Sequence, residues 1–143
     1  MCLLIEVALP GFPREQAGQL SREAARQGLL ELQAQKSPKD QVGARYFLGE
    51  PGEGCACGLL GDNADLDQPY YLLNEEALPK LRKTLELVAD QAGAPGFTLR
   101  AAWLDGAWED APKASVRRMA LRNLLAEIET GRIGANVIYQ VAS

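Results

Sequence analysis

The chain contains no histidine among its 143 residues. This absence excludes Ser-His and Cys-His nucleophile pairs, in which an imidazole accepts the proton of the nucleophile. It also excludes imidazole as a metal ligand. The three cysteines are therefore the only side chains with ready nucleophilic, redox or soft-metal chemistry.

The sequence also lacks a basic surplus and a long hydrophobic run. The net charge is −4, so we expect no nucleic acid partner, because neutralising phosphates requires excess Lys and Arg. The apolar segment Leu3–Leu9 is interrupted by Glu6 and stopped by Pro10, and spanning a membrane takes about 20 apolar residues. Without a basic leader it does not resemble a signal peptide. We therefore predict a cytoplasmic protein with free thiols and no membrane partner.

The overall composition is that of a globular protein, with 47% hydrophobic and 24% charged residues. A chain of this length buries enough surface on folding to need no disulfide bonds. The sequence shows no internal repeat, linker or low-complexity tract. We therefore predict a single α+β domain over residues 1–143.

Hydrophobic periodicity and turn residues predict the order of the elements. The first half should contain a strand, a helix between Pro13 and Gly28, and further strands, with the last two paired as a hairpin with a wide turn. In chain order these strands are Leu3–Leu9, Leu30–Ala34, Arg45–Leu48 and Cys55–Leu60.

The second half should begin with a helix that Asn74 caps and whose regular part starts near Pro79. A strand over Phe97–Leu104 should follow, then the turn pair Asp105-Gly106 and a short return strand that places Trp108 opposite Trp103. The remaining elements are a helix over about Ala114–Thr130 and a strand over Val137–Val141.

This order matches the split βαβ plan of ferredoxin-like folds. We therefore expect a mainly antiparallel sheet with helices on one face, extended by a C-terminal helix and strand.

The cysteines are the main chemical feature of the sequence. Cys55 and Cys57 lie one residue apart in a glycine-rich frame. On a strand their α-carbons would be roughly 6.6 Å apart with parallel side chains, which is poor geometry for a disulfide. If their strand lies beside the first one, Cys2 is within reach, and three thiols form a site for zinc or another soft metal. The alternative is that all three cysteines only pack as small apolar groups.

The residues Tyr46-Phe47-Leu48-Gly49 and Gly54-Cys55-Ala56-Cys57-Gly58, together with Met1-Cys2, carry a resemblance. The chain resembles a loose group of small uncharacterised bacterial proteins that begin Met-Cys and carry a Tyr-x-Leu-Gly segment before a Gly-Cys-x-Cys-Gly hairpin. The resemblance implies no activity, cofactor or catalytic residue. It favours treating Cys2, Cys55 and Cys57 as one unit.

Two hypotheses for the function follow. In the first, Cys2, Cys55 and Cys57 bind a thiophilic metal or respond to oxidation. In the second, the protein is a non-catalytic interaction or scaffold module that self-associates, with a homodimer as the expected form. The sequence identifies no catalytic residue, and the carboxylates around the cysteines disfavour a reactive thiolate nucleophile.

Overall fold

The structure is a computed structural model that describes residues 2–36, 43–62 and 64–142. The described residues form eight strands and three α-helices, and short 3₁₀ turns connect some of them. The strands are β1 (Cys2–Pro10), β2 (Glu31–Gln35), β3 (Gly43–Gly49), β4 (Tyr70–Leu72), β5 (Phe97–Leu104), β6 (Ser115–Ala120), β7 (Arg132–Gly134) and β8 (Val137–Ala142). The helices are α1 (Ala17–Arg26), α2 (Leu78–Ala92) and α3 (Leu121–Glu129).

Six of the strands form one mixed, mostly antiparallel sheet in the order β2-β3-β1-β5-β8-β6. Only the β6–β8 pair is parallel among the described strand pairs. β1 lies near the centre, between β3 and β5, and its first residue Cys2 is in register with Leu104. The remaining two strands, β4 and β7, form a separate antiparallel pair.

One face of the sheet carries the hydrophobic core. Alternate residues of β1 are almost completely buried because successive side chains of a strand point to opposite faces. All three helices bury apolar side chains in the same cluster. The principal members are Leu3, Ile5, Val7 and Leu9 of β1, Leu20 and Ala24 of α1, Leu81, Leu85 and Val88 of α2, and Leu124 and Ile128 of α3.

The α+β class and most of the predicted elements are confirmed. The strands predicted from residues 3, 30, 45, 97 and 137 are present as β1, β2, β3, β5 and β8. α2 begins at Leu78 after a turn in which Asn74 Oδ1 accepts a hydrogen bond from Ala77 N at 2.7 Å, which agrees with the predicted late start. Most of the polar segment between β2 and β3, and Met1, lie outside the described residues.

The prediction of one helix over about Ala114–Thr130 is wrong in its first third. Residues 115–120 form β6, which pairs in parallel with β8, and α3 begins only at Leu121. β6 is at the edge of the sheet and its first four residues are exposed, so it lacks a strong two-residue burial pattern. Arg, Met and Ala are also good helix formers, and tertiary pairing overrides that preference here.

The predicted return strand after Asp105-Gly106 is also wrong. Trp108 begins a 3₁₀ turn, Trp108–Asp110, in which no residue is buried. Its ring makes an edge contact with Phe47 at 5.4 Å between centroids, and the Arg100 guanidinium lies 5.1 Å from its centroid. Trp108 is therefore held by ring contacts instead of by a strand ladder.

No helix among the described residues is long and apolar enough to cross a membrane.

Candidate metal centre

The segment that carries Cys55 and Cys57 is a compact loop, so the predicted strand Cys55–Leu60 and its hairpin with Arg45–Leu48 are wrong. β3 pairs with β2 and β1 instead, and Cys57–Leu59 form a 3₁₀ turn. Ala56, inside the predicted strand, has φ −99° and ψ 14°, which a strand does not adopt. The apolar residues that resemble a strand in the sequence therefore belong to a turning backbone.

The loop lies beside the start of β1, where β3 has already ended at Gly49. Ala56 N donates to the Leu3 carbonyl at 2.9 Å, which replaces a bond that a neighbouring strand would make. Leu3 N in turn donates to Cys57 Sγ at 3.3 Å. The Cys57 sulfur thus accepts a hydrogen bond from the backbone of the central strand β1, and this bond fixes the position of Cys57 relative to β1.

Two glycines explain how the loop comes so close. A Cβ atom on Gly49 would lie 2.2 Å from the Cys55 carbonyl oxygen, so only glycine permits this approach. Glu53 N donates to the Glu50 carbonyl at 3.0 Å and closes a turn with Pro51 and Gly52 at its central positions. The positive φ of Gly52 is the one that a type II turn requires at this position.

Core packing and Asn74 hold the other side of the loop. Ala56 and Leu59 are fully buried in the hydrophobic cluster. Asn74 Nδ2 donates to the Gly58 carbonyl at 2.7 Å, and Asn74 N donates to the Leu59 carbonyl at 2.9 Å. The same side chain accepts from Ala77 N, so it connects the cysteine loop to the start of α2.

This arrangement brings the three cysteines together. The Sγ atoms of Cys2, Cys55 and Cys57 all lie within 4.8 Å of one another. All three are free thiols; Cys2 is exposed, and Cys55 and Cys57 are half-buried. Cys2 meets the other two because the loop docks on β1, and not because a hairpin strand pairs with β1.

The two loop cysteines have different electrostatic surroundings. The backbone N–H of Cys57 donates to the Cys55 sulfur and lowers the pKa of Cys55 below its ordinary value, although partial burial and the charge of Glu53 oppose this. Burial raises the pKa of Cys57 to about 11 despite the hydrogen bond from Leu3 N. In the metal-free protein Cys55 should therefore ionise before Cys57.

The charged residues near the cysteines in sequence mostly bind elsewhere. Glu50 lies 3.5 Å from Lys80, and Asp65 accepts from Asp67 N and from the Gln68 side chain. Two arginines that could compensate thiolate charge are also engaged. Arg45 forms an ion pair with Glu6, and Arg100 donates to the Pro112 carbonyl.

The geometry is suited to binding an ion. Zinc–sulfur bonds of about 2.3 Å place neighbouring sulfurs roughly 3.5–4 Å apart, so shifts of about 1 Å close the present triangle around one ion. Hydrogen bonds from backbone N–H groups to sulfur, such as those to Cys55 and Cys57, also orient and stabilise metal-bound thiolates.

Two parts of the site were not predicted from the sequence. The sequence indicates Asn74 only as a helix cap, although its amide group also holds the cysteine loop. The sequence around Gly49 gives no sign of its close approach to Cys55, because that approach depends on the folded position of the loop. A glycine at the end of a strand, followed by a glycine-rich turn, is the only signal that could have indicated it.

Comparisons of the chain with protein-family models, curated proteins and solved structures gave no match.

Proposed function

We propose that this protein binds one thiophilic metal ion, zinc or another soft metal, through Cys2, Cys55 and Cys57. The observation that carries the proposal is the convergence of three sulfurs within 4.8 Å from two segments more than fifty residues apart in the chain. Thiolates preferentially bind zinc and other soft metals. Because the chain has no histidine, it offers no imidazole as an alternative ligand.

The way the loop is built supports binding over simple packing. Cysteines that only fill space have no need of backbone donors, but Leu3 N and Cys57 N each donate to a cysteine sulfur. In addition, Ala56, which lies between the two cysteines in the sequence, is fully buried, so it is the residue that fills the core at this point. The sulfurs themselves are at the boundary of the core, where an ion can reach them.

The fold and location belong to the same proposal. The strand order β2-β3-β1-β5, all antiparallel, with α1 after β1 and α2 before β5, supports a ferredoxin-like split βαβ core. A reduced three-thiol site also requires a compartment that keeps thiols free, so we propose that the protein acts in the cytoplasm of a bacterial cell.

The test is a metal titration of reduced protein purified without chelator. We expect elemental analysis to find up to one zinc per chain, and one added equivalent of zinc to protect all three thiols from a disulfide reagent. Each of the variants Cys2→Ser, Cys55→Ser and Cys57→Ser should lower the affinity by more than about tenfold, because each removes one ligand.

Met119→Leu is the matched control, because it removes a sulfur atom from β6, outside the cluster. This variant should bind metal as the unaltered protein does. Protein that stays metal-free, with three thiols that react independently at any concentration of zinc or another thiophilic metal, would show that the cysteines only pack.

The alternative, a self-associating scaffold, has less support. Val116 on the edge strand β6 is the only large hydrophobic side chain that is exposed among the described residues. Its neighbours Arg117 and Arg118 put positive charge on that edge, and charged residues protect edge strands from pairing with another chain. The homodimer stays a prediction, which light scattering tests directly.

A further inference from the structure

Among the described residues, three cysteine sulfurs are the ligand atoms that converge at this cluster. No carboxylate oxygen of the described residues joins the three sulfurs within 4.8 Å. Zinc in structural sites is almost always four-coordinate, so here it would need water or a rearranged side chain to complete its shell. An ion that is satisfied by three sulfurs fits the cluster better.

Formal charge points the same way. Three thiolates around a monovalent copper ion carry a net charge of −2, and around zinc −1, whereas around a trivalent ion they are neutral. The Glu53 carboxylate disfavours a negative charge on Cys55. Arg45 and Arg100, which could compensate such a charge, are bonded to Glu6 and to the Pro112 carbonyl. A half-buried anionic complex beside a carboxylate is unfavourable because neither solvent nor a cation fully compensates its charge.

From these two observations, and resting on the proposed function, we infer that Cys2, Cys55 and Cys57 preferentially bind a trivalent metalloid, arsenic(III) or antimony(III), as a neutral three-sulfur complex. Such ions form three bonds in a pyramid and keep a lone pair at the apex. The exposed side of Cys2 leaves room for that apex. The binding site is therefore complete without a fourth residue.

The binding step is a ligand exchange without oxidation or reduction. Arsenous acid, As(OH)₃, loses its three hydroxyl groups as three arsenic–sulfur bonds form. Each departing hydroxyl takes the proton of one thiol and leaves as water. Three thiols and one arsenous acid thus give one neutral complex and three waters.

The experiment is a competition between arsenite and zinc for the reduced full-length protein. One equivalent of arsenite should protect all three thiols, and the intact mass should rise by one arsenic atom minus three hydrogens. A tenfold excess of zinc should not displace the arsenic, while arsenite should release zinc from the zinc-loaded protein.

Cys2→Ser with a phenylarsenical provides the matched comparison. Phenylarsenicals bind two thiols, so this variant should still bind one through Cys55 and Cys57, which also shows that the loop has folded. Its affinity for arsenite should fall by more than about tenfold because the third bond is lost.

The outcomes separate the two proposals. If zinc binds to all three thiols and excess arsenite does not displace it, the metalloid preference is wrong and the metal site stands. If arsenite binds equally well to Cys2→Ser and to the unaltered protein, the three-sulfur complex is wrong. If neither arsenite nor zinc protects the thiols, both proposals fall.

Discussion

Two segments of this protein resemble return strands in the sequence, and both form irregular loops with one 3₁₀ turn. The first is the cysteine loop, residues 50–60, with its turn at Cys57–Leu59. The second is the tryptophan segment, residues 105–114, with its turn at Trp108–Asp110. The cysteine loop is bonded to β1 and buries Ala56 and Leu59, whereas the turn of the tryptophan segment buries no residue.

The difference shows which contacts a loop needs in order to hold reactive side chains in fixed positions. The cysteine loop is fixed by a backbone hydrogen bond to a central strand, by the buried Leu59 and by Asn74, which lies in the turn before α2. The tryptophan segment is held mainly by side-chain contacts of Trp108 and Arg100 at the surface. Only the first arrangement holds several side chains in a fixed relation to one another.

The largest effect is expected from removing the buried anchor of the cysteine loop. Leu59→Ala should lower the free energy of unfolding by about 2–5 kcal/mol because it leaves a cavity in the core. Urea unfolding measures this value. Leu66→Ala, at a half-buried loop position, is the control and should cost clearly less. Equal losses in the two variants would contradict the idea that Leu59 anchors the loop.

The next effect concerns the close approach of Gly49 to Cys55. Gly49→Ala should destabilise the protein by about 1–3 kcal/mol, because the added methyl group meets a backbone oxygen that cannot move alone. It should also weaken metal binding by shifting the loop. Gly58→Ala is the matched control, because its Cβ would meet only the Glu50 side chain at 3.4 Å. If both variants bind metal and unfold alike, the loop does not depend on the contact at Gly49.

The tryptophan segment should respond less than the cysteine loop. Trp108→Ala removes a larger side chain than Leu59→Ala, yet we expect a loss of no more than about 2 kcal/mol. The ring is half-exposed, and its contacts with Phe47 and Arg100 each contribute about 1 kcal/mol. Metal affinity should not change. A loss of metal binding in Trp108→Ala would mean that the two segments are coupled.

A smaller effect is expected at Asn74. Asn74→Ala should cost about 1 kcal/mol, since it removes the cap of the turn before α2 and the bond to Gly58. Because the cysteine loop then loses a tether, Cys57 should react faster with a thiol reagent. Asn123→Ala on the exposed face of α3 is the control and should change neither stability nor thiol reactivity appreciably.

The smallest expected effect is a difference in the pH at which the two loop cysteines, Cys55 and Cys57, react with an alkylating reagent. In the metal-free protein, alkylation of Cys55 should begin at lower pH than is usual for a thiol, because the N–H of Cys57 stabilises its thiolate. Cys57 should react only as the pH approaches about 11, because burial disfavours its charged form. Peptide mapping after brief alkylation measures both rates. Equal rates at every pH would contradict the described contacts of the sulfurs.

Several parts of the fold could be predicted because local pattern and tertiary structure agree. Leu3–Leu9 and Phe97–Leu104 combine continuous or alternating apolar residues with clear turn signals, and both are central strands. α2 has an apolar stripe on one face and Gly93 at its end. In these elements the burial that stabilises the structure is visible as periodicity in the sequence.

Other parts could not be predicted because their stability depends on distant partners. β6 is defined by its parallel pairing with β8, a contact between residues about twenty positions apart. β4 and β7 are three residues each, too short to produce a pattern. The sequence predicts the meeting of Cys2 with Cys55 and Cys57 as one of two alternatives. Its cause is the docking of a loop through Ala56 and Leu3, which has no local signal in the sequence.

The most direct test of the central claim is the number of sulfur atoms bound to an ion in the loaded protein. X-ray absorption at the zinc edge, on protein carrying one zinc per chain, measures this number and the zinc–sulfur distance. Three sulfurs at about 2.3 Å, falling to two in Cys2→Ser, is the predicted result. A shell of oxygen or nitrogen with one sulfur or none would contradict the account.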